Sequence, residues 1–295
     1  MENRVLGWTA AGRVGVVDVA EVLVERWGLV PARVEGLDGG MGSRTWLAVG
    51  DGWRVVVKTV AARDQGFEAG LELAVRLDDA GLATGRPRLS RAGRVVERAG
   101  DRRVGVLEFV DGVPLTAADA AMVGETLGRV HQLSATAAGD VEEWLQFLRF
   151  FDPWLDLEGW IRPAVEGAMD GVRRLGPLSW AWLHGDPAPE AFLRQPAGAI
   201  GLIDWGAAMH GPVLYDVASA VMYVNGPGQV VPSYLKQRPE TRDEVEVGLD
   251  AFLQLRYAVQ AGYFAWRCSN DIRTGIADPA ENRKGLNDAR RAFGL

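Results

Sequence analysis

The sequence is poor in cysteine and histidine: of 295 residues, one is cysteine and three are histidine. A single thiol, Cys268, rules out an internal disulfide and any cysteine-rich metal centre. It lies in a helical stretch, where a packed core thiol is expected rather than a nucleophile. Positive charge is also in the minority. Lys and Arg number 32 against 39 Asp and Glu, a net charge of −7, which argues against a nucleic-acid binder. No apolar run is long enough to span a bilayer and the Met-Glu-Asn-Arg start has no hydrophobic signal region, so no membrane partner and a cytoplasmic setting are expected. Repeats and low-complexity tracts are absent. What is present, 48 % hydrophobic and 24 % charged residues, is an ordinary globular composition in a chain long enough to divide into two lobes.

The first third reads as strands around one main helix. Asp18 and Glu21 make a capping-box pattern before Val19, Val22, Leu23 and Trp27, and Gly28 is a stop signal, so a short helix is predicted over 18–28. From Ala32 to Val60 the pattern turns strand-like, with 44–49 and 53–60 flanking an Asp51-Gly52 turn, a strong hairpin signal. Asp38-Gly39-Gly40-Met41-Gly42-Ser43 therefore falls between strands, unlike a Walker loop or a dinucleotide motif. Glycines there let backbone N–H groups approach phosphate oxygens, although a glycine-rich turn is most often only a turn. Lys58 alternates with Val56 and Val60, so its side chain is predicted on a buried face, and a buried ammonium calls for an anion beside it. Residues 67–77 have helical period, with Glu68 and Glu72 one turn apart. Either could pair with Lys58, and Glu68 is favoured. Strands at 95–99 and 103–109 complete a small antiparallel sheet. A hinge at about 107–112 then separates an N-terminal lobe, 1–110, from a C-terminal one, 111–295.

Beyond Thr116 the chain is mainly helical, with segments at 123–133, within 142–175, from Tyr215 and at 242–268, and a short one in the tail. His131 is expected to be a satisfied interior histidine, Trp144, Trp154 and Trp160 to be core or else to line a substrate cleft, with core favoured, and Asp216 to lie near a helix N-cap. Between these helices lie His184-Gly185-Asp186 and Ile203-Asp204-Trp205. Short strands at 191–193 and 200–203, joined by a turn at 195–198, would bring Asp186 and Asp204 to one end of a ribbon. One carboxylate could then hold a metal ion and the other accept a hydroxyl proton. The plain alternative is two loop aspartates that cap turns.

In this order (glycine loop, strand lysine, helix glutamate, hinge, helices, two aspartates) the chain resembles the aminoglycoside phosphotransferase and choline kinase-like family over about residues 32–268. The motifs that carry the resemblance are His184-Gly185-Asp186 and Ile203-Asp204-Trp205, with Leu127-Gly128-Arg129-Val130-His131 and Tyr215-Asp216-Val217-Ala218 in support. It implies an α+β, bilobal, protein-kinase-like fold: a small antiparallel β lobe with one main helix and a larger, mainly helical lobe. It also implies ATP and Mg2+. Asp186 would receive or orient the substrate hydroxyl and Asp204 would bind magnesium. Lys58 would contact the α- and β-phosphates with Glu68 holding it, and Gly40, Gly42 and Ser43 would cover the phosphates. Backbone groups of Glu108 and Val110 would take the adenine edge, and His184 and Asp216 would brace the catalytic loop. The groups of residues 58, 186 and 204 should converge on one triphosphate.

One departure matters. The family pattern has a second metal-binding asparagine five residues after the aspartate; here that position is Ala191, and Ala188 replaces a second histidine. Glu190 is a candidate replacement ligand, a changed metal set is another solution, and a silent site is the third. The expected activity is ATP-dependent transfer of the γ-phosphate to a hydroxyl of a small molecule, such as an aminoglycoside-like or other natural-product acceptor. The alternatives are a kinase for Ser or Thr of a peptide in a ribosomal-peptide modification pathway, and a catalytically silent nucleotide- or peptide-binding scaffold. A hydrolase using Asp186 and water ranks last.

Overall fold

Alternating valines build the first sheet. The computed structural model describes residues 18–37, 42–64 and 66–295. A first helical turn, α1 (Val19–Val22), is capped by Asp18, whose carboxylate accepts from the Glu21 amide at 3.0 Å. It continues as a π turn over Leu23–Trp27 and stops at Gly28, as the sequence predicts. Strands β1 (Arg33–Leu37), β2 (Arg44–Gly50) and β3 (Trp53–Ala61) follow, then helix α2 (Gly66–Asp79) and strands β4 (Val96–Ala99) and β5 (Arg102–Glu108). They form an antiparallel sheet in the order β1-β2-β3-β5-β4.

Because successive strand side chains point to opposite faces, the sheet has two apolar sides. Val55, Val57, Val104 and Val106 pack with Val19, Leu23 and Trp27. Val60 and Leu107 pack with Phe67 and Leu71 of α2. Lys58 shares the α2 side by alternation, and its side chain is 12 % exposed.

A second group of elements begins with β6 (Val113–Pro114), α3 (Ala120–Leu133), β7 (Ala135–Thr136), α4 (Val141–Leu145), α5 (Ile161–Arg173) and β8 (Trp180–Leu183). It continues with β9 (Phe192–Arg194), β10 (Ile200–Leu202), β11 (Met209–Pro212), α6 (Val213–Tyr223), α7 (Val230–Gln237), α8 (Arg242–Ser269) and α9 (Ala280–Ala292). Small sheets run β10-β9-β6 and β11-β8-β7. The described residues fall into two compact units: one takes those up to Val113 together with Leu193–Ala208, the other Pro114–Phe192 with Met209–Leu295. The hairpin after Leu193, with its following turn, thus groups with the first sheet.

The second unit buries Val123, Leu127 and Val130 of α3, Val217 and Val221 of α6, and Phe252, Leu255 and Val259 of α8. Trp144 is core as expected and meets Phe147 and Tyr215 edge-on, at 5.3 and 5.5 Å between ring centres. Trp154 and Trp160 are only half-buried, because the segment carrying them runs through a 3-10 stretch containing Pro153 and then turns at the surface. Cys268 is half-buried on α8 rather than sealed in the core, and burial pushes its thiol pKa up. Among the described residues no helix is long and apolar enough to cross a membrane.

Candidate functional site

In the first unit Lys58 and Asp204 meet. Lys58 Nζ donates to Asp204 Oδ1 at 2.5 Å, bridging β3 and the turn after β10. Asp204 has left-handed backbone angles, φ 69° and ψ 57°, which Asp tolerates better than most side chains. The turn is anchored on both sides. Trp205 is 1 % exposed, and its indole N–H donates to the Leu202 carbonyl at 3.0 Å. On α2, a Cβ added at Gly70 would lie 2.1 Å from the Trp205 carbonyl oxygen, so only glycine admits the helix this close.

The expected Lys58–Glu68 pair is not what forms. Glu68 Oε2 accepts from Arg103 Nη1 at 2.9 Å, and the same guanidinium donates to the Ala62 carbonyl at 3.0 Å. Arg103 on β5 occupies the α2 side of the sheet and reaches the first turn of α2 before Lys58 does, leaving the lysine to Asp204. Glu72 is exposed. Beneath Glu68, Asp64 accepts from the Phe67 amide at 3.2 Å and is 4 % exposed. Burial pushes its pKa from the usual 3.8 up to about 6, against the pull of the Phe67 amide and Arg103.

The remaining nucleotide candidates lie in the same unit. Gly40 falls outside the described residues. Gly42 is exposed, with open space where a Cβ would stand, and Ser43 is half-buried. The Glu108 amide donates to the Arg86 carbonyl at 2.9 Å, and its carboxylate is paired with Arg88. The Val110 amide makes no hydrogen bond among the described residues.

In the second unit a buried acid braces the loop before Asp186. Asp216 is fully buried in the first turn of α6, near the N-cap Pro212 as expected, and it braces the loop as the family resemblance implies. Its carboxylate accepts from the amides of His184 at 2.7 Å and Gly185 at 2.9 Å. It also meets His131 Nε2 at 3.1 Å, while His131 Nδ1 lies 3.1 Å from the Tyr234 hydroxyl. His131 is thus the satisfied interior histidine expected. Gly185 has φ 86°, a conformation costly for any residue with a Cβ, and it turns the chain into Asp186.

Asp186 itself is gripped from α6 and α8. Its Oδ1 accepts from the Tyr223 hydroxyl and from Arg256 Nη2, the latter at 3.2 Å. Arg256 is buried; its Nε donates to Ser219 Oγ at 2.8 Å, and its guanidinium lies 5.5 and 5.8 Å from the ring centres of Tyr215 and Tyr223. Burial works against its charge, but the surrounding phenols and Asp186 more than offset this and hold it firmly protonated. Burial, and then the Asp186 charge, hold the Tyr223 pKa well above its ordinary value, so it stays a donor.

Sequence reasoning passed over both residues, although a signal was present. Phe252, Arg256, Val259 and Tyr263 recur at helical spacing, and one arginine on that apolar stripe demands a partner. Ala191, 7 % exposed, and exposed Glu190 belong to a 3-10 turn over Pro189–Ala191, so the strand expected from 191 starts at Phe192.

Known proteins share this architecture. The chain is similar in structure to an amicoumacin kinase solved in complex with AMP-PNP, Ca2+ and Ami (TM-score 0.71, 18 % identity, 94 % of each chain covered). It is also similar to the choline kinase LicA of Streptococcus pneumoniae (TM-score 0.64, 17 % identity, 92 % of this chain and 98 % of that one). These likenesses bear out the α+β, protein-kinase-like fold. In sequence it is similar to a homoserine kinase of Beijerinckia indica subsp. indica, 29 % identical over 175 residues, which are 55 % of this chain. The match spans about half the length of that curated relative (53 %). The sequence profile of the phosphotransferase enzyme family (APH) matches residues 33–247, and the chain belongs to that family.

Proposed function

We propose that this chain transfers the γ-phosphoryl group of ATP to a hydroxyl of a small molecule, with a divalent cation. The observation that carries this reading is the Lys58–Asp204 pair, a cation suited to phosphate oxygens set 2.5 Å from a carboxylate suited to a metal. Mg2+ is commonly held by one or two carboxylates together with water and substrate phosphates. Asp204, its side chain 56 % exposed, fits that need. Among the described residues no cluster of three or more His, Cys, Asp or Glu could hold a metal unaided, which agrees with a cation shared with phosphates. Exposed Glu190 is the proposed second ligand, since the Ala191 methyl has no donor atom. When bound, the cation supplies charge neutralisation at the phosphate oxygens.

The protein's own part is positioning. In this reading Lys58 holds the α- and β-phosphates, and Gly40, Gly42 and Ser43 cover them. The unpartnered Val110 amide, with the Glu108 backbone, takes the adenine edge. Asp186 accepts the acceptor's hydroxyl proton as its oxygen bonds to the γ-phosphorus. The bond from that phosphorus to the bridging oxygen breaks, and ADP leaves with the electron pair. Hydroxylated natural products, aminoglycosides among them, are the proposed acceptor class. Ala191 favours one competing reading, a silent nucleotide-binding scaffold.

A nucleotide-consumption screen over aminoglycosides, homoserine, choline and small hydroxylated peptides, with and without Mg2+, separates the two. Metal-dependent ADP release with at least one acceptor is expected. Nucleotide binding without γ-phosphate loss in every arm would replace the kinase reading by the silent one.

A further inference from the structure

Both donors on Asp186 fall on one oxygen. Tyr223 and Arg256 bond to Oδ1, and Oδ2 makes no bond among the described residues, on a side chain 52 % exposed. A carboxylate turns about its Cβ–Cγ bond, so fixing one oxygen fixes where the other points. We propose that Arg256 and Tyr223 are positioning residues that lock the Asp186 carboxylate through Oδ1 and so dedicate Oδ2 to the acceptor hydroxyl. This rests on the kinase reading above for what Oδ2 does, and on the contacts alone for the lock.

The lock is itself held. Ser219 Oγ donates to the Tyr215 carbonyl at 2.7 Å and is therefore oriented to accept from Arg256 Nε at 2.8 Å. Arg256 Nη2 also reaches the Tyr223 oxygen at 3.2 Å, so the phenol that donates to Asp186 is aligned by the guanidinium beside it. Tyr215, Ser219 and Tyr223 stand four residues apart on α6, one face of one helix. Arg256 comes from α8, so two helices 70 residues distant in sequence from the aspartate at their farther end set its angle. Charge-assisted bonds of this kind are stronger than neutral ones. A base oriented before the acceptor arrives has no reorganisation left for the transition state. The lock therefore acts on turnover and not on nucleotide binding.

The test uses the full chain with MgATP and water as the acceptor, scored by phosphate release, on Arg256→Gln, Arg256→Lys and Tyr223→Phe. Loss of Arg256 should lower kcat by about 10²-fold with KM for ATP changed by less than about twofold. Arg256→Lys should recover part of the loss, and Tyr223→Phe should cost about tenfold. A merely structural arginine would lower the amount of folded protein without this split. Should Arg256→Gln fail to fold, Tyr223→Phe and Arg256→Lys carry the comparison. The contact is measured separately by thermal unfolding of Arg256→Lys, Asp186→Asn and the double variant, where non-additivity of about 2 °C or more is expected. Unchanged kcat in Arg256→Lys and Tyr223→Phe, or additive melting shifts, overturns the lock. A wild-type chain that releases no phosphate to water is assayed with the acceptor found in the screen above; no ADP release there either overturns the kinase reading instead, and the melting cycle then decides the lock.

Discussion

Asp186 and Asp204 are the same residue type, each set just beyond a short strand, yet they are held in opposite ways. Asp204 adopts the left-handed conformation itself, and Lys58 of β3 donates to its Oδ1. At Asp186 the strain is passed to Gly185, and two donors from remote helices share one oxygen. The first arrangement leaves a carboxylate braced against a cation that phosphates would share. The second leaves one oxygen pinned and one open. On the proposed reading, one aspartate binds charge and the other moves a proton, and each has its own support within its own compact unit.

The sharpest way to break the comparison is to remove the aspartates in turn. Asp186→Ala should lower kcat by about 10²–10⁴-fold while KM for ATP stays within about threefold, whereas Asp204→Ala should raise KM for ATP; steady-state ATP consumption reads both. Next in size is the brace behind Asp186. Asp216→Ala strips two backbone amides and His131 of a buried acceptor, and should cost about 3–5 kcal/mol in denaturant unfolding. The matching support behind Asp204 is steric. Gly70→Ala drives a methyl to within 2.1 Å of the Trp205 carbonyl, and should cost about 1–3 kcal/mol with a rise in KM for ATP.

Asp64 gives a smaller effect that depends on pH. Its carboxyl is raised from 3.8 to about 6 by burial, so the folded chain binds this proton more tightly than the unfolded one. The resulting stability is complete below pH 3.8 and is lost as pH rises through about 6. Asp64→Asn keeps an acceptor for the Phe67 amide and removes the buried charge. It should therefore gain about 1–2 kcal/mol over wild type at pH 7 and show no gain at pH 3.5, as read by melting at the two pH values. The smallest change is expected at Glu68. Its ion pair with Arg103 is 42 % exposed on the Glu68 side, so Glu68→Gln should cost less than about 1 kcal/mol and leave KM for ATP within about twofold. A tenfold rise there would restore Glu68 as the partner of Lys58 and dissolve the contrast.

Much of the first unit was legible because its signals are local. Valine alternation sets the strands, Asp51-Gly52 sets the hairpin, and Asp18 caps the first turn. Period-two spacing also put Lys58 on its correct side. Its partner was not legible, because which anion an ammonium meets depends on what the neighbouring strand presents. Arg103 lies 35 residues from Glu68 and claims it. His131 follows from burial odds alone, and Asp216 is legible through the family resemblance as the brace of the loop before Asp186; its complete burial is not, because a polar residue near the start of a helix looks the same whether it faces water or the interior. Arg256 is not legible as a partner of Asp186: the period over 242–268 gives the helix, and nothing local says which acid 70 residues away its buried guanidinium meets.

The guanidinium of Arg256 has one more effect. Together with the carboxylate it contacts, it makes a pair of zero sum, which at a distance of several ångströms acts as a dipole and not as a monopole. A molecule approaching that aspartate therefore meets a weaker long-range field than an unpaired carboxylate would give.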